Sequence, residues 1–524
     1  MKSKEFTKND SLIIKGLAIL AIMLHNLFRW ITPSVGENEF GFSCQTVRCF
    51  FESLSNQPQE FINIIFGYLG HFGVQAFILI SGYGLTKSML NKPMCWTAFM
   101  VARLKKIYPL LIIALISFFA FTLAFGYNMP EHCARETAFK LLLIHTLQPY
   151  SGLSMCGPWW FFGLIVQLYI LFPILLNLTQ RHGAKILVGT ALLSYAWILT
   201  AIYFYNNDPQ ALHAMQNAPG HLPEFCLGIG IALYNREQIS RWWLLPALTF
   251  FVLGNFFRPF YPFTFLAVSV IFVISYNMVK AFIKRHRIIE RPLMFTGSIS
   301  MFLFALHGFI RQPFIDWANN CGAVGKIAVA AAFVAVSIVA ALAVRPLFNL
   351  LVNLTDKIDF QACKIQKINR WIMTASLILL GFVAIHHASS IFQKHIEFKQ
   401  DIQTREIVFT TANTITPDSV FSLVARIKMN HCKFMKITID AEVDSEDTPA
   451  DKLPILVTDV TLMFWDKFLL PETNGYQKIH FEKNVYCSFI NHFWPKRVSI
   501  YFWNNKKTSM KYRNAKVSIN YQKW

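Results

Sequence analysis

The sequence predicts a polytopic α-helical membrane protein: a ten-span core, an eleventh span, then a C-terminal all-β, sandwich-like domain. Three observations carry this. Of 524 residues, 54% are hydrophobic and only 15% charged, with mean hydropathy +0.39, so apolar side chains must face lipid. Apolar runs of about 20 residues, the length that crosses a bilayer, recur from Leu12 to about residue 390 and then stop. Beyond them the pattern alternates with period two, as half-buried strands do.

The formal charge of +20 would suit nucleic acid if it were gathered on one surface. It is not. Lys and Arg fall in alternate loops, as the positive-inside bias requires, and neither zinc-finger spacing nor an Arg/Gly-aromatic motif is present. The expected partners are therefore membrane lipids and small substrates, with no nucleic acid.

The alternation orders the spans. Lys2, Lys4 and Lys8 place the N-terminus inside, before span one at 12–31. That stretch is too long for a signal-peptide core, contains His25 and Asn26, and lacks a small-x-small cleavage site. Glu37, Glu39, Glu52 and Glu60 mark an outer loop before span two at 61–85. Lys87, Lys92, Arg103, Lys105 and Lys106 mark the inside before span three at 107–125. The apolar segment 138–147 is too short to cross ~30 Å of hydrocarbon and reads as re-entrant or interfacial. Span four covers 159–178, and spans five to eight fall near 186–205, 221–234, 242–257 and 260–279. Spans nine and ten fit 293–312 and 325–348, and an eleventh at 371–389 carries the chain outward. The domain reading is a membrane domain at 1–355, a linker and last helix at 356–390, and an extracytoplasmic β-rich accessory domain at 391–524.

In that tail, Ile437, Ile439, Ala441 and Val443 share one face, with Lys436, Thr438, Asp440 and Glu442 on the other. Val498, Ile500 and Phe502 alternate likewise with Ser499, Tyr501 and Trp503. Seven of the ten cysteines lie on the outer side or in the tail. An oxidising exterior permits disulfides there, Cys133 with Cys156 for instance, although connectivity cannot be read from sequence. No CxxC or HExxH pattern occurs, so no metal is expected.

Ionisable and polar groups inside spans are expensive and are functional candidates by default. Lys15, His25 and Arg29 lie on span one, Gln75 and Ser81 on span two, Gln167 and Tyr169 on span four. Glu224 lies on span six, and His307 with Arg311 on span nine. The plain alternative is hydrogen bonding between helices, and Lys15 and Arg311 are near enough to span ends to snorkel. His25 is deeper, ~20 Å from the inner helix end at 1.5 Å per residue. Imidazole is matched to proton transfer near neutral pH, which an attacking hydroxyl needs.

Five segments, in order, resemble the acyltransferase-3 family of membrane enzymes that modify surface polysaccharides and lipid-linked sugars. They are Lys15-Gly16-Leu17 leading to His25-Asn26; Gly73-Val74-Gln75 continuing to Ser81-Gly82-Tyr83; Arg103-Leu104-Lys105-Lys106-Ile107-Tyr108-Pro109; Gly157-Pro158-Trp159-Trp160 through Gln167 and Tyr169; and Ser298-Ile299-Ser300 through His307-Gly308. The likeness spans about residues 10–350. It implies an O-acyltransferase, most simply an O-acetyltransferase, of the bacterial cytoplasmic membrane. The donor is acyl-CoA (acetyl-CoA) from the cytoplasm, used as a co-substrate with no bound cofactor, and the acceptor is a glycan or lipid-linked saccharide. His25 is then the general base, with Asn26 and His307 as alternative catalytic positions. Lys15, Arg103, Lys105 and Lys106 attract the donor phosphates. Arg29, Gln75, Trp159, Gln167 and Glu224 line the substrate site.

Two departures stand out. The family commonly sets its Arg and His eleven residues apart, on one helix face, whereas Lys15 and His25 are ten apart and Asn26 holds the in-line place. The offset rotates His25 by roughly 80°, and Lys loses the bidentate fork of Arg. The tail lacks the Gly-Asp-Ser start of the hydrolase-like domain that some relatives append, so a docking or glycan-binding sandwich, or a plain structural cap, is expected. The rival functions are a glycan or lipid transporter or flippase using the same buried polar residues, and a non-catalytic scaffold.

Overall fold

The computed structural model describes residues 6–34, 36–127, 133–148, 151–205 and 215–356. In the tail it describes 403–409, 413–418, 421–429, 432–446, 448–449, 453–460, 464–486, 496–504 and 508–523. The chain forms two compact units, one of residues 1–147 and 152–377, the other of 148–151 and 378–524. The eleventh span expected at 371–389 lies outside the described residues.

The first unit is helical. Helix α1 (Lys8–Phe28) starts with a capping box, Thr7 accepting from the Asp10 amide while Asp10 accepts from that of Thr7, which satisfies two otherwise orphaned donors. Asp10 is buried and also takes Tyr276 at 2.6 Å and Lys284 at 2.8 Å. Next come α2 (Cys44–Asn56), α3 (Phe61–Leu69), α4 (Gly73–Asn91), α5 (Trp96–Ala124) and α6 (Cys133–Leu141). They are followed by α7 (Trp160–His182), α8 (Lys185–Tyr205), α9 (Leu222–Tyr234), α10 (Leu244–Phe256) and α11 (Phe263–Arg285). Finally come α12 (Arg287–Ser298), α13 (Ser300–Ile310), α14 (Gln312–Asn319) and α15 (Ala323–Asp356).

Six helical stretches among the described residues are long and apolar enough to span a membrane, seven if the bent pair α12–α13 counts as one. They include α1, residues 58–91 through α3 and α4, α5, residues 157–182 with α7, α11, and α15. Each falls on an expected span. The expected span 186–205 falls on α8, of which Lys185–Thr200 counts as a shorter apolar helix, and three further expected spans are shorter or broken helices. Residues 221–234 and 242–257 form helices of 13 residues each, about 20 Å long at 1.5 Å per residue and short of the ~30 Å hydrocarbon. Residues 293–312 bend by 78° between α12 and α13. The segment 138–147 folds as the end of α6 and a 3-10 turn, His145–Leu147. Large apolar side chains remain outward, such as Leu193 and Leu245, which suits contact with lipid.

Helices α1 and α12 cross almost backbone to backbone. A Cβ on Gly16 would stand 2.1 Å from the carbonyl oxygen of Leu293, and one on Gly297 would stand 1.9 Å from that of Leu12. Small residues at such crossings replace the hydrophobic drive that lipid removes.

The second unit contains nine described strands in two antiparallel sheets. One has the order β1-β9-β4-β7, with β2 also on β9; the other runs β3-β8-β5-β6. The strands are β1 (Gln403–Phe409), β2 (Asn413–Ile415), β3 (Phe421–Met429), β4 (Cys432–Asp444) and β5 (Ile455–Val460). After them come β6 (Phe464–Phe468), β7 (Gln477–Tyr486), β8 (Lys496–Trp503) and β9 (Met510–Lys523). Ile437, Ile439, Ala441 and Val443 are buried with Val498, Ile500 and Phe502 in one core, so the alternation read from the sequence is the inward face of both sheets. The outward face of β4 is tied by cross-strand ion pairs: Lys436 to Glu482 at 2.8 Å, Asp440 to His480 at 2.6 Å, and Glu442 to Arg513 at 2.7 Å. Exposed pairs of this kind contribute little each; the buried face holds the sheets together. Cys133 and Cys156 are separate free thiols, Cys156 buried.

Candidate functional site

His25 lies on the last turns of α1 and is buried. Its Nδ1 faces the carbonyl oxygen of Phe66, on α3, at 3.3 Å. A carbonyl can only accept, so in the neutral ring Nδ1 carries the hydrogen and Nε2 keeps its lone pair. That Nε2 is buried and has no hydrogen-bond partner among the described residues. This is the tautomer a general base requires.

The break between α3 and α4 brings up a second imidazole. A 3-10 turn, Gly70–Phe72, interrupts the span, and the chain there passes so close to α1 that a Cβ on Gly70 would stand 2.7 Å from the Cβ of His25. Glycine permits the approach. His71 follows, its ring centroid 5.4 Å from that of His25, with Nδ1 on the Tyr68 carbonyl at 3.0 Å and Nε2 unpartnered. Sequence reading passed over His71; its signal was a histidine inside the second apolar run. His307, on α13, repeats the arrangement: Nδ1 faces the carbonyls of Leu303 and Phe304 at 2.9 and 3.0 Å, and Nε2 has no partner among the described residues.

The loop after α1 folds back over this region. Arg29 pairs with Glu37 at 2.5 Å and reaches Glu39 at 3.8 Å. Tyr261 donates its hydroxyl to the carbonyls of Asn38 and Glu39, at 3.0 and 3.1 Å, pinning the loop. A ring nitrogen of His25 and one carboxylate oxygen each from Glu37 and Glu39 all lie within 4.8 Å of one another. Burial foremost pushes the Glu39 carboxyl up to about 8, with Arg29 opposing and Glu37 adding to the rise. Burial raises Glu37 too, against the pull of Arg29 and Arg311. The donor set could in principle hold a cation, but Arg29 already supplies positive charge at these oxygens, and a divalent ion there would meet the guanidinium. The two glutamates served in the sequence only as markers of an outer loop. Nothing local in the sequence shows that the loop turns inward.

Arg311 follows α13 and reaches α1. Its Nη1 donates to the Asn26 side chain at 2.9 Å, while its buried Nε has no partner among the described residues. Arg29 and Arg311 each lie 5.6 Å from the Trp30 ring. His25, Asn26, Arg29, His307 and Arg311 are thus assembled by α1, α13 and the returning loop.

The basic group lies elsewhere on α1. Lys15 is close enough to Arg103 and Lys106 of α5 for their charges to interact. Arg103 lies over the rings of Phe99 and Tyr169 at 5.2 and 6.0 Å, with Nε unpartnered. None of Lys15, Arg103 and Lys106 has an ion pair among the described residues, and Lys105 lies on the same helix. A cavity of about 500 Å³ opens beside the start of α5, lined by Met89, Met94, Trp96, Pro173, Asn177 and Gln180.

The remaining candidates are largely engaged with the protein. Gln167 donates to Thr146 at 3.1 Å and Asn217 at 2.7 Å and accepts the Ala218 amide at 2.9 Å. Trp159 is fully buried and gives its only donor to the Ala305 carbonyl at 2.8 Å. Glu224 meets Nδ1 of His221 at 3.1 Å, and Nε2 of that ring faces the Met215 carbonyl at 2.8 Å. Gln75 is buried with its side-chain oxygen unpartnered.

The model of the acyltransferase-3 family, described as an acyltransferase domain, matches residues 12–345. No curated protein and no solved structure matches the chain.

Proposed function

The chain belongs to the acyltransferase-3 family, whose domain covers α1 to α15, and on that premise we propose that it moves an acyl group from acyl-CoA to a hydroxyl of a cell-surface polysaccharide or lipid-linked sugar. Acetyl is the simplest group. The observation that carries the reading is His25: a buried imidazole with its proton fixed on Nδ1 by a carbonyl and its Nε2 lone pair free.

The step balances with this residue as base. The acceptor oxygen attacks the thioester carbonyl while Nε2 takes the hydroxyl proton. The C–S bond breaks, the imidazolium returns the proton to the departing sulfur, and an ester and free CoA result. Negative charge on the carbonyl oxygen during attack is met by Arg311, whose Nε has no partner among the described residues and whose fork Asn26 orients.

Lys15, Arg103 and Lys106, with Lys105 beside them, attract the donor's phosphates by concentrated positive charge. The cavity next to Trp96 offers the donor an entry at that end. Lys15 and His25 are ten residues apart, about 15 Å along α1, so a pantetheine-length arm joins the two regions. We assign Gln75 and Arg29 to contact with the acceptor, and Gln167, Trp159 and Glu224 to the packing that supports that region. The positive-inside pattern supports a cytoplasmic N-terminus and an extracytoplasmic β-rich tail, and a bacterial cytoplasmic membrane is the location we propose.

The test is turnover of labelled acetyl-CoA by the purified protein in nanodiscs, for wild type and His25→Ala. Donor-dependent hydrolysis or transfer that the substitution abolishes supports the reading. Glycan or lipid flux without donor consumption turns it toward a transporter.

A further inference from the structure

The acyl-transfer reading uses His25, Asn26 and Arg311 and leaves a buried acidic pair unexplained. Glu37 and Glu39 come from a loop outside α1, yet both reach its histidine. Their side chains are only 7% and 11% exposed. Arg29 is paired closely with Glu37 and stands farther from Glu39, and His25 is the neighbour of Glu39 that gains positive charge during the reaction. Tyr261 binds the loop backbone at Glu39 and at Asn38, between the two glutamates, so the placement is built rather than incidental. Asn38 locks the other side by accepting from the Ser43 amide at 3.2 Å and donating to the Ser43 carbonyl at 3.0 Å.

We infer that Glu39 is a positioning residue for His25: ionised, it stabilises the imidazolium formed when His25 takes the acceptor's proton, while Glu37 remains committed to Arg29. The division follows the distances. Glu37 holds the guanidinium at 2.5 Å, whereas Glu39 is 3.8 Å from it and is the freer carboxylate. The proton balance is simple. In the resting protonated form the Glu39–His25 pair carries one extra proton, and the base is occupied or the stabilising charge is missing. Loss of that proton gives a carboxylate beside a neutral imidazole, the reactive form. The raised affinity of the Glu39 carboxyl for protons agrees with this. Because the two groups are close, the titration belongs to the pair.

Other charges facing the pair come from every neighbouring element. Arg29 favours ionisation of both carboxylates, and Arg311 favours that of Glu37. His71 faces His25 from the turn after α3, His307 lies on α13 beside Arg311, and Tyr68 and Tyr261 carry hydroxyls within electrostatic reach of the glutamates. Cys156 lies near Arg311 and Cys44 near Tyr68.

This inference rests on the acyltransferase reading, and the experiment separates the two. Steady-state acetyl-CoA turnover in nanodiscs is followed from pH 5 to pH 10 for wild type, Glu39→Gln and Glu39→Asp. The wild-type kcat is expected to rise with pH along an acid limb. Glu39→Gln should move that limb down by about one pH unit or more and lower the plateau about tenfold or more, with donor KM changed less than about threefold, the pattern of lost transition-state stabilisation. Glu39→Asp should keep the limb and restore part of the plateau. Lowered activity with an unmoved limb in Glu39→Gln would show a purely structural role and overturn the inference. So would an unchanged profile. Absence of turnover in folded wild type, by contrast, would remove the acyltransferase reading on which it rests.

Discussion

Arg311 donates a hydrogen bond to Asn26 at 2.9 Å, joining residues 285 positions apart in sequence. Asn26 occupies the helix face in line with Lys15, where a family histidine would be expected. Here that place orients an arginine. His25, one residue earlier, instead faces Phe66 and the loop glutamates. With the shortened Lys15–His25 spacing, the neighbouring in-line position has a contact of its own, to Arg311.

Removing the base should be the most damaging single change. His25→Ala is expected to lower kcat by about 100-fold or more, the usual worth of general base catalysis. His307→Ala should cost less, because its ring is fixed on its own helix and the glutamates face His25. Parallel turnover assays in nanodiscs decide it; equal losses would move the base to His307.

The Asn26–Arg311 pair should act on kcat more than on donor KM. Arg311→Met is expected to lower kcat by about 100-fold, as loss of one preorganised donor to a developing oxyanion does. Asn26→Ala should cost roughly tenfold by freeing the arginine. A KM effect alone in both variants would assign the pair to substrate binding.

Lys15 and Arg103 should report on the donor. Lys15→Met or Arg103→Met is expected to raise KM for acetyl-CoA severalfold with little change in kcat, and the effect should shrink as salt rises. Lys15→Arg should preserve activity, since the positive charge stays and a fork is added. Competition binding with CoA across a salt series checks this without turnover.

The crossing of α1 and α12 should tolerate no side chain. Gly297→Ala places a methyl 1.9 Å from the Leu12 carbonyl oxygen, so backbone must move. A loss of about 1–3 kcal/mol, the usual cost of overpacking, should appear as lower thermal stability and reduced yield of folded protein. Gly189→Ala, with open space around it, is the matched control.

Stability should fall with pH through the Glu39 carboxyl. Folded, this group holds its proton up to about 8, against an ordinary value of 4.5. Between those values the unfolded chain has released a proton that the folded chain keeps, so stability declines as pH rises from about 4.5 to about 8 and then levels. Glu39→Gln cannot ionise and should flatten that part of the curve. Thermal unfolding at pH 5 and pH 8.5 measures the difference.

Much of the architecture was legible because its signals are local. Long apolar runs, alternate basic loops and period-two tail strands each depend on neighbours within one element, and the membrane helices and two sheets follow from them. What sequence did not separate was a full span from a short or broken one. Residues 221–234 and 242–257 are as apolar as a span yet form helices of only 13 residues, and the 78° bend at Ile299 interrupts an apolar run without a proline at the break.

By itself the sequence determined that this chain is a membrane protein of the acyltransferase-3 family with a β-rich tail, and that His25 is an ionisable group lipid would not tolerate without purpose. Hydropathy, charge alternation and ordered motifs are properties of the linear chain. Tertiary structure alone decided which nitrogen of His25 is free, because that depends on a carbonyl 41 residues away. It also decided that Glu37 and Glu39 turn inward to the histidine and that Arg311 belongs to Asn26. These are contacts between separate helices and a returning loop. They exist only once helices pack closely enough for polar groups to find each other out of water.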